Sequence, residues 1–175
     1  MRSLLQRSVM GSVLLAVSLF ALASCGNTTS AKGSLGPAAD FTLKDETGED
    51  YNFSENTEGK VVILNFWAKR CPACKVEIPN LVEIYGEYAD SGLEVIGVDV
   101  DASGVAAMKA ASSQYGIDYP LLSGTSREIG RIVSSYGSFR FIPTTYIIDR
   151  EGNITEKLSG PKGKAYLEGA VKKLL

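Results

Sequence analysis

Cys71 and Cys74, separated by Pro72 and Ala73, carry the most specific chemistry in this 175-residue chain. A disulfide across so short a ring removes only about 2 kcal/mol of unfolded-state entropy, so stability alone explains the spacing poorly and redox chemistry explains it better. The apolar run Val61–Trp67 leads into the pair and a helical pattern follows, which predicts a strand-to-helix junction with Cys71 at the helix N-terminus. There the thiolate, the reactive form, is favoured by the helix dipole and unpaired amides. Pro72 fits the first helical position, where a missing N–H costs little, and leaves the amides of Ala73 and Cys74 facing the sulfur. Lys69 and Arg70 add positive charge, which is expected to lower the Cys71 pKa; the plainer reading is a solvated basic edge that meets partners only. Cys74, one turn inward on the apolar stripe, is the expected resolving thiol.

A buried resolving thiol needs a proton acceptor, and the chain has no histidine. Glu77, three residues past Cys74 and beside its stripe, is the candidate, with partial burial expected to raise its pKa; a solvated helix glutamate is the alternative. Trp67 is a candidate substrate contact and, more plainly, a core aromatic. Asp99 and Asp101 read as solvated loop acids at a strand end, with no further ligand cluster, so no metal is expected. The Asn-x-Ser/Thr matches at Asn27, Asn52 and Asn153 read as chance.

The third cysteine has a different setting. Arg2 and Arg7 precede an apolar run from Val9 to Ala23 that ends in Leu22-Ala23-Ser24-Cys25, a signal-peptide pattern whose end resembles a bacterial lipobox. Residues 1–24 are therefore expected to be a lipoprotein signal peptide, Cys25 the lipid-bearing residue, 25–36 a small polar tether and 37–175 one compact domain. Cleavage takes the basic count from 18 to 16 against 20 acidic residues, a net charge of −4, which leaves nothing basic enough for nucleic acid.

The elements that must position the dithiol follow from periodicity. Phe41–Lys44 and Asp50–Phe53 flank a turn and predict a hairpin. Val61–Trp67 and Leu93–Val98 read as buried strands. The helix after Cys71 carries Cys74, Ile78, Leu81, Val82 and Tyr85 on its stripe, leaves Glu77, Asn80, Glu83 and Glu87 off it, and is expected to bend at Pro79. Gly104–Tyr115 reads as a helix, Tyr119–Leu122 as a short extended piece, and Thr125–Tyr136 as a helix with Ser126 as its cap. Thr144–Ile148 and Ile154–Leu158 form a second hairpin, and Lys164–Leu175 a closing helix. This alternation predicts an α/β fold with a mixed central sheet flanked by helices.

Residues 37–175 resemble a thioredoxin-fold domain of the TlpA/ResA class, the membrane-tethered thiol-disulfide oxidoreductases of bacteria. The resemblance rests on Pro37-Ala38-Ala39-Asp40-Phe41-Thr42-Leu43, on Lys60–Ala68 leading into Cys71-Pro72-Ala73-Cys74, on Gly92–Val98, and on Ile142-Pro143-Thr144-Thr145-Tyr146-Ile147-Ile148-Asp149. It implies a thioredoxin fold with an N-terminal β-hairpin and a central βα insertion. It also implies a redox-active Cys71–Cys74 disulfide, an acid at Glu77 that affects the cysteines' ionisation, and a cis Ile142–Pro143 bond beside the dithiol, the proline's backbone pairing with an extended substrate. Two positions depart from the family: Arg70 stands where Trp is usual, which alters the partner surface, and Asn65 stands where cytosolic thioredoxins bury an Asp.

The expected function is an extracytoplasmic, lipid-anchored thiol-disulfide oxidoreductase without a cofactor. The resemblance implies reduction of disulfides in exported proteins such as apocytochrome c, fed by a membrane thiol electron donor. Site residues are Cys71, Cys74 and Glu77 for chemistry and Trp67, Arg70, Pro72, Ile142 and Pro143 for substrate. The alternatives are a Cu(I)-binding thioredoxin-fold chaperone, against which the absence of histidine counts, and a thiol peroxidase, against which Ala68 counts because such enzymes place a hydroxyl three residues before the reactive cysteine.

Overall fold

Fourteen of the residues from Val61 to Trp67 and from Leu93 to Asp99 are buried without exception, and this follows from where their strands lie. A computed structural model describes residues 34–175. The expected signal peptide, Cys25 as the expected lipid-bearing residue, and most of the expected tether lie outside the described residues. Leu35 and Gly36, at the end of the expected tether, hydrogen-bond with Ile154 (Leu35 N–H to Ile154 O, 2.7 Å; Ile154 N–H to Gly36 O, 2.8 Å).

β1 (Thr42–Lys44) and β2 (Asp50–Asn52) form the expected antiparallel hairpin. The second strand ends one residue earlier than its pattern predicts, because the Asn52 side chain accepts the Glu55 N–H and caps α1 (Phe53–Thr57). β3 (Val61–Trp67) is the middle of a five-stranded sheet with β4 (Leu93–Asp99), β5 (Leu121–Leu122), β6 (Thr144–Ile148) and β7 (Ile154–Ser159), in the order β5-β4-β3-β6-β7. The β3–β4 and β4–β5 pairs are parallel and the β3–β6 and β6–β7 pairs are antiparallel. The sheet is mixed, as periodicity predicts.

Each strand of the sheet alternates between two cores. On one face Ile63, Trp67, Val95 and Ile147 pack against α2 (Pro72–Tyr88), α3 (Val105–Tyr115) and α5 (Lys164–Val171). On the other, Leu64, Phe66, Val98 and Tyr146 pack against the hairpin's Phe41, Leu43 and Tyr51 and against Ile129 and Ile132 of α4 (Ser126–Ser135). With both faces covered, β3 is apolar at all but one of its seven positions, which is why its sequence does not alternate. Among the described residues no helix is long and apolar enough to cross a membrane.

Two local expectations are corrected. Thr125, not Ser126, caps α4: its hydroxyl accepts the Glu128 N–H while the Glu128 carboxylate accepts the Thr125 N–H, a reciprocal capping box. Asp99 is fully buried, and its carboxylate accepts the amides of Asp101 and Ser103 and the Ser123 hydroxyl, so it organises the loop after β4 and is not a solvated acid; Asp101 is exposed. Pro79 lies inside α2, where the sequence places it, and the helix continues past it to Tyr88.

Candidate functional site

The β3–α2 junction is sharp because Cys71 is the N-cap of α2 and Pro72 its first residue, whose fixed φ is already helical. The cap places the Cys74 N–H 3.0 Å from the Cys71 sulfur, so that amide is aimed at the atom that carries charge in the thiolate. Cys71 and Cys74 are joined as a disulfide, with their Cα atoms 5.3 Å apart. Cys71 is partly exposed, and Cys74 is 1% exposed within the helix-side core. A partner can reach the first sulfur and not the second.

The loop before β6 forms the opposite wall. The Ile142–Pro143 peptide is cis, and the Ile142 carbonyl oxygen lies 3.6 Å from the Cys71 sulfur. Pro143 is buried, has no N–H, and its carbonyl already accepts the Gly160 N–H at 2.9 Å. The Ile142 N–H has no partner among the described residues. Arg70 and Pro72 are exposed beside the sulfur.

Trp67, a candidate substrate contact, is 1% exposed and shares the core cluster of Cys74. Its reading as a partner contact is corrected: it is a wall behind the dithiol. Gly97 makes the room, since a Cβ there would come within 2.6 Å of Leu121 Cδ2 and 3.0 Å of Trp67 Nε1.

Beneath the disulfide is a polar island in the helix-side core. Glu77 is fully buried, not partly as its spacing suggests, because the inward face of α2 runs Cys74, Glu77, Ile78, Leu81, Ile84. An apolar count cannot put an acid on that face; donors from three other segments hold it there. The Asn65 amide donates to Glu77 Oε2 at 2.7 Å and to Thr145 Oγ1 at 2.8 Å, the Thr145 hydroxyl donates to Oε2 at 3.3 Å, and the Lys162 N–H donates to Oε1 at 2.9 Å. Asn65 and Thr145 are register partners across β3 and β6. Burial pushes the Glu77 carboxyl above the ordinary carboxylate range, against the opposing pull of these bonds from Lys162, Thr145 and Asn65. A carboxyl held this way is suited to accept a proton from the buried thiol one turn before it.

Sequence reasoning missed Thr145 and the Lys162 amide and treated Asn65 only as a lost acceptor. The usable signal was Asn65 itself, the one polar residue in the seven of β3. Such a residue in a strand covered on both faces must be hydrogen-bonded. No group of three or more His, Cys, Asp or Glu residues suited to a metal occurs among the described residues.

The AhpC/TSA family pattern matches residues 36–157. The thiol-disulfide oxidoreductase ResA of Bacillus thuringiensis (strain Al Hakam) is 33% identical over 137 residues, covering 78% of this chain and 76% of the relative. The protein of the same name from Geobacillus kaustophilus is 30% identical over 170 residues, covering 93% of each. Among solved structures, a thiol:disulfide interchange protein of the thioredoxin family from Chlorobium tepidum TLS superposes with a TM-score of 0.71 at 32% identity, covering 79% of this chain and 95% of that one.

Proposed function

The chain belongs to the AhpC/TSA family and is a thiol-disulfide oxidoreductase of the thioredoxin fold, and on that premise we propose that it reduces disulfides of exported proteins, apocytochrome c among the candidates. It works outside the cytoplasm, held to a membrane by lipid on Cys25 and recharged by a membrane thiol donor. One observation carries the mechanism: of two sulfurs in one disulfide, only that of Cys71 is accessible.

In the reduced protein the Cys71 thiolate attacks one sulfur of the target disulfide. The Cys71–target bond forms, the target's S–S bond breaks, and the first target thiolate leaves and takes a proton. Ile142 aligns the target by backbone pairing, with Arg70 and Pro72 against its flanks. Glu77 then accepts the Cys74 proton, and the Cys74 thiolate attacks the Cys71 sulfur. The Cys71–Cys74 bond forms as the Cys71–target bond breaks, and the second target thiolate departs. Two electrons have passed from the protein dithiol to the target, leaving the disulfide seen in the structure.

The reduction potential of the couple tests the direction. Equilibration against glutathione and dithiothreitol buffers with thiol trapping is expected to give a value near that of thioredoxin, roughly −270 mV. A value near −120 mV would instead make the protein an oxidant. Failure to form the disulfide at all would move the reading to Cu(I) held by the two thiolates.

A further inference from the structure

The surface around the accessible sulfur has a charge opposite to that of the chain. The net charge is −2 over 175 residues, yet Lys69 and Arg70 precede Cys71, Lys75 follows Cys74, and Arg140 lies two residues before Ile142, whose carbonyl touches the Cys71 sulfur. Arg70, Lys75 and Arg140 are exposed and Lys69 is half-buried. Among the described residues none of the four is within 4.0 Å of a carboxylate, so their charge is not cancelled by an ion pair. Lys69 and Arg70 line an open cavity of about 480 Å³ next to the dithiol, with Ser103 and one acid, Asp101, across from them. Two exposed apolar side chains adjoin these residues in the chain: Phe141 at 72% exposure, between Arg140 and Ile142, and Val76 at 65%, next to Lys75 and one helical turn beyond Pro72.

Exposed apolar side chains, a backbone N–H at Ile142 without a partner among the described residues, and cations with no carboxylate within 4.0 Å give this surface the parts of a recognition site. We infer that it selects protein segments in which the target cysteine is flanked by aspartate or glutamate, the acidic side chains meeting Lys69 and Arg70 on one side and Arg140 on the other. This rests on the exchange reaction proposed above and names its substrate class. Acidic flanks gain attraction on approach, and basic flanks meet four like charges with one acid, Asp101, to offset them. Because the cations are largely in water, the selectivity is sensitive to salt.

The test uses the reduced full chain and three disulfide-bonded peptides identical except for the residues flanking the cysteine: glutamate, serine or lysine. At about 10 mM salt the second-order rate for the glutamate peptide should exceed that for the lysine peptide by on the order of tenfold, with serine between, and the ratio should shrink toward one in 0.5 M salt. The double variant Lys69→Glu/Arg70→Glu should invert the ratio, and Arg140→Glu, on a separate loop, should lower it. Any effect of these cations on Cys71 acidity cancels in the ratio, since both peptides meet the same thiolate. Equal rates for all three peptides at low salt, or a ratio that survives both variants, would overturn the inference and leave the exchange reaction standing. Exchange with none of the peptides would overturn both.

Discussion

Cys71 and Cys74 are one helical turn apart and share a bond, but the regions around them have little in common. The rim around Cys71 is largely exposed and basic, and among the described residues its cations have no carboxylate within 4.0 Å. The island around Cys74 and Glu77 is closed to solvent, and both Glu77 oxygens have donors from other segments of the chain. The contrast separates two jobs that one disulfide must do. Choosing and attacking a partner needs exposure, which the helix N-terminus supplies by putting its cap at the surface. Releasing the partner needs a second thiolate that no outside disulfide can reach, and burial supplies that at the cost of requiring an internal proton acceptor.

Removing each half in turn tests this division. Cys71→Ser should abolish peptide-disulfide reduction, a loss of about a thousandfold or more in rate, because the remaining sulfur cannot be reached. Comparable activity from Cys74 alone would break the comparison. Glu77→Gln preserves the volume of the island and removes its titrating proton. Resolution of the mixed disulfide near neutral pH should slow by about a hundredfold, and its pH profile should lose the limb due to Glu77.

The same substitution sharpens the electrostatics of the buried half. The folded carboxyl has a raised pKa, so between the unfolded value of about 4.3 and the raised value the native state binds more protons than the unfolded state. Stability from this group therefore falls as pH rises through that window. Urea unfolding from pH 4 to 8 should show this decline in the wild type and a flatter curve in Glu77→Gln. Asn65→Asp places a second carboxyl where the amide now lies 2.7 Å from Glu77. It should destabilise by about 2 kcal/mol more at pH 8 than at pH 5, because two carboxylates at that separation cannot both ionise cheaply. The smallest effect belongs to the rim: Arg70→Gln should change rates with an uncharged disulfide by only about twofold, as expected for one solvated charge.

The same contrast explains what could be read from the chain. The sheet, the junction and the dithiol are local in sequence: an apolar run, a proline at the first helical position and a helical stripe. The rim was legible as residue types, since Lys69 and Arg70 are adjacent to Cys71, but Arg140 joins it only through the return of the chain at Ile142. The island was the least legible, because Asn65, Glu77, Thr145 and Lys162 come from four segments and meet only in the fold. Counting apolar residues put Glu77 off the stripe and Asp99 in water for one reason: a buried acid is recognised by its donors, and the donors are distant or are backbone amides. Trp67 erred in the opposite sense, its packing depending on the missing side chain of Gly97 on the neighbouring strand.

The most direct test of the division of labour is to mix reduced Cys74→Ser and reduced Cys71→Ser proteins separately with one disulfide peptide and to locate any adduct by mass spectrometry. The account predicts a persistent mixed disulfide on Cys71 in the first protein and none on Cys74 in the second. Adducts of similar yield on both cysteines would contradict it.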